Sequence, residues 1–439
     1  MKNKKFEMNK YLTIVLLFLV LGMNAQNKDK NTWAEKIKDF KIEPVIGLQL
    51  WSTYTFGTEV YDAETGKYQA VDNRMDTHIR RTRLGVKGQP YPNLKFVFIS
   101  SLDLVGKDIL AGTEGGGNNG SSPSFRIWNA FIQWKVFTKN DGLHITTGYL
   151  PPQIGRESIT AALRVTSMEK SWSQNYLRRQ LVGTGPGRAV GINAGGLFLN
   201  KNKNVGVSYD AGIFNPVFES LGGNSTGGKS SVLVSGRIVF HFGEPEFEKY
   251  TISRKVNYFG KRKGLSIALA AAQQGETDLF LQNSVYGVDW LLNWGNLNLS
   301  GEWSILEREG EELLINTTTR RIDTKSNTGF VRLGYNLNLK NARVLEPVLV
   351  FAQFNGALKS TAQKDAAKLN AFAGQDQYLE ASLNYYFNPN LRLSLAYTFR
   401  DGDLGEAAAG SAFSNYFFQG GVGAIKRGDW LGLGLVAIF

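Results

Sequence analysis

The last eleven residues of the chain form an alternating pattern that most constrains its fold. In DWLGLGLVAIF, every second position is apolar and one face carries Leu431, Leu433, Leu435, Ala437 and Phe439. Successive side chains of a strand point to opposite faces, so this segment predicts a strand with one apolar face. A strand with nothing after it must still pair both of its edges, and a closed barrel does this by joining the last strand to the first. The C-terminal pattern therefore predicts the wall of a β-barrel.

The N-terminus has the layout of an export signal. Four lysines precede an apolar run from Tyr11 to Leu21, and small residues follow as far as Ala25. A basic segment, then an apolar core, then small residues at the cleavage site are typical of a cleaved secretory signal. The alternative is an uncleaved membrane helix, but the run is shorter than the ~18 residues that a span needs. We predict a signal peptide at 1–25, a short periplasmic segment at 26–42 and an outer-membrane barrel at 43–439.

Alternation with a period of two predicts sixteen antiparallel strands along the mature chain. A single-chain bacterial barrel needs an even number of strands, so we place residues 413–425, which also alternate, in the last outer loop. Short connections alternate with long ones, as periplasmic turns alternate with outer loops in such barrels. The connection at 243–263 is long for a periplasmic turn. The predicted strands are 43–56, 76–88, 93–104, 124–137, 143–149, 188–199, 204–214, 230–242, 264–273, 282–293, 296–306, 326–339, 342–354, 376–387, 390–400 and 428–439.

The two faces of these strands differ in chemistry. From Leu391 to Arg400, leucine and aromatic residues alternate with polar residues. A charge on the lipid face costs roughly 2 to 4 kcal/mol at mid-bilayer, so the polar residues must line the lumen. Basic residues predicted to face the lumen are Arg81, Arg83, Lys87, Lys135, Arg237, Arg332 and Arg392, and the acids are Asp289, Glu302 and Glu380.

The charge balance indicates anionic partners. The chain has a net charge of +12, of which residues 1–25 contribute +3, so +9 remains after cleavage. This charge is spread along alternating strands and forms no basic tract, so we predict no nucleic-acid partner. A lumen with more Arg and Lys than Asp and Glu is an electrostatic filter that admits anions. The alternative explanation of the charge is a solvated surface facing acidic lipopolysaccharide or medium.

The third outer segment, residues 150–187, is the longest and is rich in arginine. A barrel of this size leaves an aqueous lumen, so an inward-folding loop would be needed to narrow it. Residues 158–170 have weak helical character. The alternative is an outward loop with solvated charges. Combining this loop with the wall, we predict an anion path made of Arg81, Arg83, Lys87, Lys135, Arg156, Arg164, Arg178, Arg179, Arg237, Arg332 and Arg392.

Three stretches carry a family resemblance: RRTRLGVKGQPYPNLKFVF (80–98), WNAFIQWKVFTKNDGLHITTGYLPPQIGRES (128–158) and LNYYFNPNLRLSLAYTFRDGD (383–403). They resemble the phosphate-selective porin O/P family of outer-membrane channels, and the terminal Phe439 resembles the end signature of bacterial outer-membrane proteins. The resemblance implies a sixteen-stranded, trimeric porin in outer-membrane lipid and lipopolysaccharide. It implies passive diffusion of phosphate or similar oxyanions past an infolded third loop and an arginine-lined wall.

Other functions lack the residues that they require. The chain has no cysteine, and its three histidines, His78, His144 and His241, have no metal-ligand spacing, so we predict no metal and no cofactor. Residues 223–230 fit the letters of a phosphate-binding G-x-x-x-x-G-K-S loop, but an alternating strand follows where a helix is required. No histidine shares a predicted face with a recognisable catalytic partner, so we predict no enzyme.

The rival hypothesis is a barrel that serves as a structural or docking subunit of a surface protein complex. The aromatic triplet Tyr416, Phe417 and Phe418 in the last outer loop could contact such a partner. A docking barrel with a filled lumen would show no conductance, whereas a porin would.

Overall fold

The computed structural model describes residues 39–183, 185–216, 219–220, 223–224, 228–314, 318–410 and 414–439. The chain divides into two units, residues 1–42 and 43–439, and the second contains the barrel. The predicted signal peptide and most of the predicted periplasmic segment lie outside the described residues. Among the residues that are described, none of the helices combines the length and apolar character needed to cross a membrane.

Sixteen antiparallel strands close into a barrel. The last strand pairs with the first, with Leu50 opposite Leu435, and every other strand pairs with its neighbours in sequence. The strands are β1 Glu43–Phe56, β2 Arg74–Tyr91, β3 Leu94–Ser101, β4 Arg126–Lys135, β5 His144–Leu150, β6 Ala189–Leu199, β7 Val205–Asn215, β8 Leu233–Gly243, β9 Lys263–Gln274, β10 Gln282–Trp294, β11 Leu297–Leu313, β12 Thr319–Tyr335, β13 Val344–Asn355, β14 Gln375–Asn388, β15 Leu391–Asp403 and β16 Asp429–Ile438.

The predicted strand number and order are confirmed. Predicted and observed strand lengths differ most for the pair β11 and β12, which extends beyond the predicted ends. Opposite charges face each other in this extension, as Glu307 faces Lys325, and such cross-strand pairs stabilise it. The exclusion of residues 413–425 from the wall is also confirmed. Phe418–Gln419 and Gly423–Lys426 instead form a separate four-stranded sheet with Glu59–Asp62 and Lys67–Ala70, two strands of the first outer loop.

Strand β8 shows why the alternating sequence forms this wall. Leu233, Arg237 and His241 point inward and are buried, whereas Val234 and Phe240 point outward and are exposed. An exposed apolar face on a barrel strand suits contact with lipid. The buried inner face of β8 must be covered by something within the lumen, and two inserted segments supply that cover.

The first inserted segment is the third loop, residues 151–188, and the second is the connection at 244–262, which we call the periplasmic insert. Within the third loop lie helix α1 (Arg156–Ile159), a 3-10 turn (Ala162–Arg164) and helix α2 (Ser173–Val182). The prediction of helix at 158–170 is therefore wrong for most of that stretch, and the longer helix follows it. Helix α3 (Ser360–Lys368) lies in the outer loop between β13 and β14. The segments meet where the Ala161 amide donates to the Arg254 carbonyl over 3.1 Å.

An apolar core lies inside the barrel. Leu177 and Leu181 of α2, with Tyr176, are fully buried against inward side chains of the wall, among them Phe214 and Phe354. The rings of Tyr176 and Phe354 stack with centroids 3.9 Å apart. Burial of this apolar surface holds α2 against the wall. The third loop is therefore a packed element of the lumen, and the alternative of an outward solvated loop is wrong.

Candidate anion passage

Two neighbouring arginines of β2 anchor the third loop. The register between β1 and β2 shifts after Gln49, and Arg80 is the residue left without an opposite partner. A bulge of this kind re-aims the extra side chain. Arg80 Nε donates to Glu169 Oε2 over 2.7 Å, and Arg81 forms an ion pair with the other oxygen of the same carboxylate. Arg81 and Glu169 are buried, so one acid of the loop is clamped by two guanidinium groups.

The opposite side of the lumen contains a second set of buried ion pairs. Arg156 Nη2 lies 2.7 Å from Glu246 of the periplasmic insert, and Arg156 Nε lies 3.1 Å from Asp289 of β10. Arg237 of β8 binds the same Asp289 over 2.8 Å. Arg156 and Arg237 therefore join the third loop, the insert and the wall.

Further polar contacts continue around β11 to β14. Arg332 Nη2 lies 2.5 Å from Glu157 of α1. Glu302 accepts hydrogen bonds from the Glu157 amide over 2.9 Å and from the Ser173 hydroxyl over 2.8 Å. All these groups are buried, and each of the three predicted path residues Arg156, Arg237 and Arg332 is paired with an acid of the wall or of an inserted segment.

The inner face of β3 and β4 remains accessible. Ser101 lies opposite Arg83 and Val97 opposite Lys87, so these residues share the lumen face. On that face Lys95 is exposed, and Val97 and Phe131 are only half-buried. Inward residues of β8, by contrast, are all buried. Solvent therefore reaches this face at Lys95, Val97 and Phe131, whereas Ser101 and Gln133 of the same face are buried.

Three arginines meet beside this accessible face, and we call them the arginine cluster: Arg83, Arg178 and Arg188. The guanidinium carbons of Arg83 and Arg188 lie 3.9 and 3.6 Å from the centroid of the Trp128 ring. Trp128 is itself the extra residue at a bulge of β4. The stem of Arg178 fills the space where a side chain at Gly187 would sit.

The arginine cluster carries more positive charge than its surroundings balance. Arg83 Nη1 lies 2.7 Å from Asp103, but within the described residues neither Arg178 nor Arg188 has a carboxylate within 4 Å. Their exposed fractions are only 5% and 8%. Arg83 Nη2 and Arg178 Nε are buried and find no hydrogen-bond acceptor in the part of the chain that is described. A buried, unbalanced cation is costly, so an anion at this position would offset that cost.

The other predicted path residues lie at the two ends. Lys87 and Lys135 are on the accessible side and lie 2.8 Å from Glu43 and 3.2 Å from Asp141. Arg179 is exposed at the outer end, where it lines a cavity of about 450 Å³. Arg164 and Arg392 line a cavity of about 750 Å³ at the periplasmic end. The eleven predicted residues thus do not form one continuous line.

The sequence interpretation left out several members of this site. Arg80 and Trp128 were missed because a bulge breaks the period-two rule that assigns faces. Arg188 stands at the junction of the third loop and β6, and its contact with Trp128 depends on the folded loop. The aromatic triplet of the last outer loop is not an exposed patch, since Phe417 is buried and Tyr416 packs against it with ring centroids 4.8 Å apart.

A closed sixteen-stranded barrel with an apolar outer face, an infolded third loop and a partly accessible lumen defines an outer-membrane porin. Within that class the profile of the family "phosphate-selective porin O and P" matches residues 54–413. The chain therefore belongs to the phosphate-selective porin O and P family. Proteins of this family and fold are channels and not enzymes. None of the curated proteins is a significant match to the chain.

Solved porins share the fold at low sequence identity. OmpF from Salmonella typhi, in complex with daunomycin, has a TM-score of 0.53 and 14% identity, covering 92% of this chain and 99% of its own. An anion-selective porin from Comamonas acidovorans has a TM-score of 0.52 and 12% identity, covering 91% and 99%. The outer-membrane channel DcaP of Acinetobacter baumannii has a TM-score of 0.50 and 12% identity, covering 91% and 97%.

Proposed function

We propose that this porin passes small anions, phosphate or similar oxyanions, by passive diffusion along the inner face of β2 to β5. The observation that carries the proposal is the arginine cluster, in which Arg178 and Arg188 stand beside the accessible face with no carboxylate partner among the described residues. Lys87, Lys95 and Lys135 extend the basic lining toward the periplasm. Arg156, Arg237 and Arg332 hold the inserted segments in place. Because acids balance their positive charges, they attract the permeating anion less strongly than the arginine cluster does.

The chemistry of the arginine cluster suits an oxyanion. A guanidinium fork can bind two oxygens by parallel hydrogen bonds, and Arg83 and Arg178 each have a nitrogen without an acceptor among the residues that the structure describes. Contact with the Trp128 ring restrains two of the three guanidinium groups. Conduction also requires that each site bind the anion weakly enough to release it. A series of basic sites along the path allows the anion to pass from one weak site to the next.

The test is a measurement of zero-current potential in planar bilayers with a gradient of potassium chloride or potassium phosphate. We expect anions to be preferred over potassium, with a preference that weakens as the screening length falls from about 10 Å at 0.1 M to about 3 Å at 1 M. Arg178→Gln and Arg188→Gln should each lower the anion-to-cation permeability ratio severalfold, because each removes an unbalanced charge from the narrow part of the path.

Lys359→Gln is the matched control, since Lys359 is an exposed cation in an outer loop and should leave the ratio unchanged. Equal shifts in all three variants would assign the selectivity to the overall surface charge. Preference for potassium at low salt would contradict anion passage. A purified, folded barrel without any conductance would favour the rival hypothesis of a docking subunit of a surface complex.

The remaining expectations follow from the class of protein and are also proposals. We infer export through a signal peptide cleaved near Ala25, insertion among outer-membrane lipid and lipopolysaccharide, and assembly as a homotrimer. Mass spectrometry of the mature N-terminus tests the cleavage site. Light scattering of the unheated, purified protein tests the trimer, and a monomer mass would contradict it.

A further inference from the structure

The periplasmic end of the lumen contains a cavity of about 750 Å³ that the proposed passage does not use. It lies between the periplasmic insert and the inner face of β13 to β16. The 3-10 turn of the third loop forms one wall, because Leu163 packs on Gly47 of β1 so closely that a side chain at Gly47 would collide with it. Arg164 Nη1 donates to the Pro389 carbonyl over 2.8 Å, which fixes this wall at the turn between β14 and β15.

The cavity combines two kinds of lining. Five basic residues surround it, Arg164, Lys255, Lys261, Arg343 and Arg392, and the described residues that line it include no Asp or Glu. Its other walls are mainly apolar or aromatic, with Leu163, Phe259, Leu339, Tyr386, Val436 and Ile438, and four asparagines, Asn257, Asn338, Asn388 and Asn390, also line it. A volume between about 300 and 1,000 Å³ with mostly apolar walls and a few charged groups is typical of sites for organic ligands.

The charges of the basic residues add up within the cavity. Arg164, Lys255 and Lys261 all line this one cavity, so their positive charges face the same space. Arg392 is 4% exposed, and its Nε has no acceptor among the residues described. Behind the wall lies the carboxylate of Glu346, which accepts hydrogen bonds from Asn257 over 3.0 Å and from Tyr386 over 2.8 Å and can offset one of the five positive charges. The positive charge of the cavity is therefore not balanced by its lining.

We propose that this cavity is a binding site for an organic anion with an apolar body, such as an aromatic carboxylate. The basic residues would hold the carboxylate, and the apolar walls would cover the ring or hydrocarbon part. A bare inorganic oxyanion gains nothing from apolar walls, because its affinity comes from hydrogen bonds and charge alone, whereas burial of a ring adds a hydrophobic contribution. The proposed site is thus distinct from the arginine cluster in both place and ligand.

Binding of 4-phenylbutyrate to the full-length porin in lipid nanodiscs, followed by isothermal titration calorimetry, tests the proposal. We expect 4-phenylbutyrate to bind and the neutral 4-phenylbutyramide to bind much more weakly. Inorganic phosphate at the same concentration should not displace 4-phenylbutyrate. The double variant Lys255→Gln/Lys261→Gln should bind about tenfold more weakly, the order of effect expected from losing a charge-assisted contact. Both lysines are exposed, so the fold should survive, and the heat-dependent gel shift of the barrel checks this.

Lys201→Gln is the matched control, because Lys201 is an exposed lysine of another periplasmic turn and should leave the affinity unchanged. The absence of 4-phenylbutyrate binding would overturn the proposal. So would equal binding of the amide, displacement by phosphate, or equal weakening by the control. These results are separate from the bilayer measurements, so the cavity can fail as a site while anion passage stands, and the reverse.

Discussion

At the scale of single residues, the lumen separates cations that hold structure from cations that remain available. Arg81 and Arg237 were both assigned to the lumen face by alternation, and both are buried against acids of another element. Arg178 and Arg188 are equally buried but have no such partner within the described chain. A pattern of alternation assigns a residue to a face, and it cannot tell which of these two environments the residue will have. Whether the charge of an arginine is balanced depends on acids such as Glu169, which come from a distant part of the chain.

Glu169→Gln tests the structural role of the paired cations. The substitution removes the charge that Arg80 and Arg81 share and leaves two guanidinium groups without a counter-charge. Breaking a buried pair in this way typically costs about 3 to 5 kcal/mol, so the free energy of unfolding should fall by that order. Denaturant unfolding of the purified barrel, followed by tryptophan fluorescence, measures the change.

Glu248→Gln is the control for that experiment. Glu248 also pairs with a cation, Lys203, over 2.6 Å, but both side chains are exposed. Exposed pairs contribute little, so the unfolding midpoint should not move. A loss of stability in Glu248→Gln as large as in Glu169→Gln would show that burial is not what makes the Arg80 and Arg81 clamp important.

At the scale of elements, the strands follow from the sequence and the inserted segments do not. All sixteen strands were predicted because each has its own alternating pattern and lies next in space to its neighbours in sequence. Helix α2 has no comparable local signal, since its stability comes from contacts such as those of Tyr176 and Leu177 with distant strands. The periplasmic insert was signalled only by its unusual length. Its partners, such as Arg156 for Glu246, are 90 residues away in sequence.

Leu177→Ser tests whether α2 narrows the lumen. Leu177 is fully buried in the apolar core, and truncating a buried leucine typically costs about 2 to 5 kcal/mol. We expect α2 to loosen, the single-channel conductance to rise and the anion preference to fall. Leu314→Ser, at an exposed leucine beyond the end of β11, should change neither quantity. An unchanged conductance in Leu177→Ser, with the barrel still folded, would mean that α2 does not limit flow.

The outer loop at 102–125 contains a lysine that should titrate near neutrality. Lys107 is buried and donates to the Gly115 carbonyl over 3.0 Å. Burial, with the charges of Arg427 and Arg80, lowers the pKa of Lys107 from 10.5 to about 7, although Asp76 and Glu114 oppose this effect. Between these two values the unfolded chain binds the proton and the folded loop does not. The contribution of Lys107 to stability must therefore become more favourable as the pH rises through this window.

Nuclear magnetic resonance of the protein with 13C-methylated lysines measures this titration. One resonance should titrate near pH 7, and it should be missing from Lys107→Gln but present in Lys364→Gln, which changes an exposed lysine of helix α3. A spectrum without a neutral titration would place Lys107 in a more solvated or better balanced environment. Loss of the resonance in Lys364→Gln would show that it belongs to another lysine.

At the scale of the whole molecule, the lumen has a packed side and an accessible side. The ion pairs of Arg156, Arg237 and Arg332 and most of the apolar core occupy the side toward β7 to β14, whereas solvent reaches Lys95 and Val97 on the inner face of β3. The sequence predicted the wall and the infolding of the third loop. It treated the lumen as one basic surface because wall residues were assigned without knowing what would cover them. An uneven lumen follows only once the third loop and the periplasmic insert have both been placed.

The orientation of the barrel can be tested with single cysteines, because the chain has none of its own. Long connections such as 102–125 and 356–374 should face outward, since long loops are extracellular and short turns periplasmic in such barrels. Ser121→Cys and Lys364→Cys should therefore react with a membrane-impermeant maleimide on intact cells. Lys201→Cys, in a short turn, should react only after the outer membrane is broken. All three positions are exposed, so accessibility to the reagent depends on the side of the membrane and not on burial. The folded barrel should also migrate differently on gels before and after heating, which confirms that the labelled molecules were inserted. The opposite labelling pattern would invert the topology, and it would then place the 750 Å³ cavity at the cell surface and the four-stranded sheet of the outer loops in the periplasm.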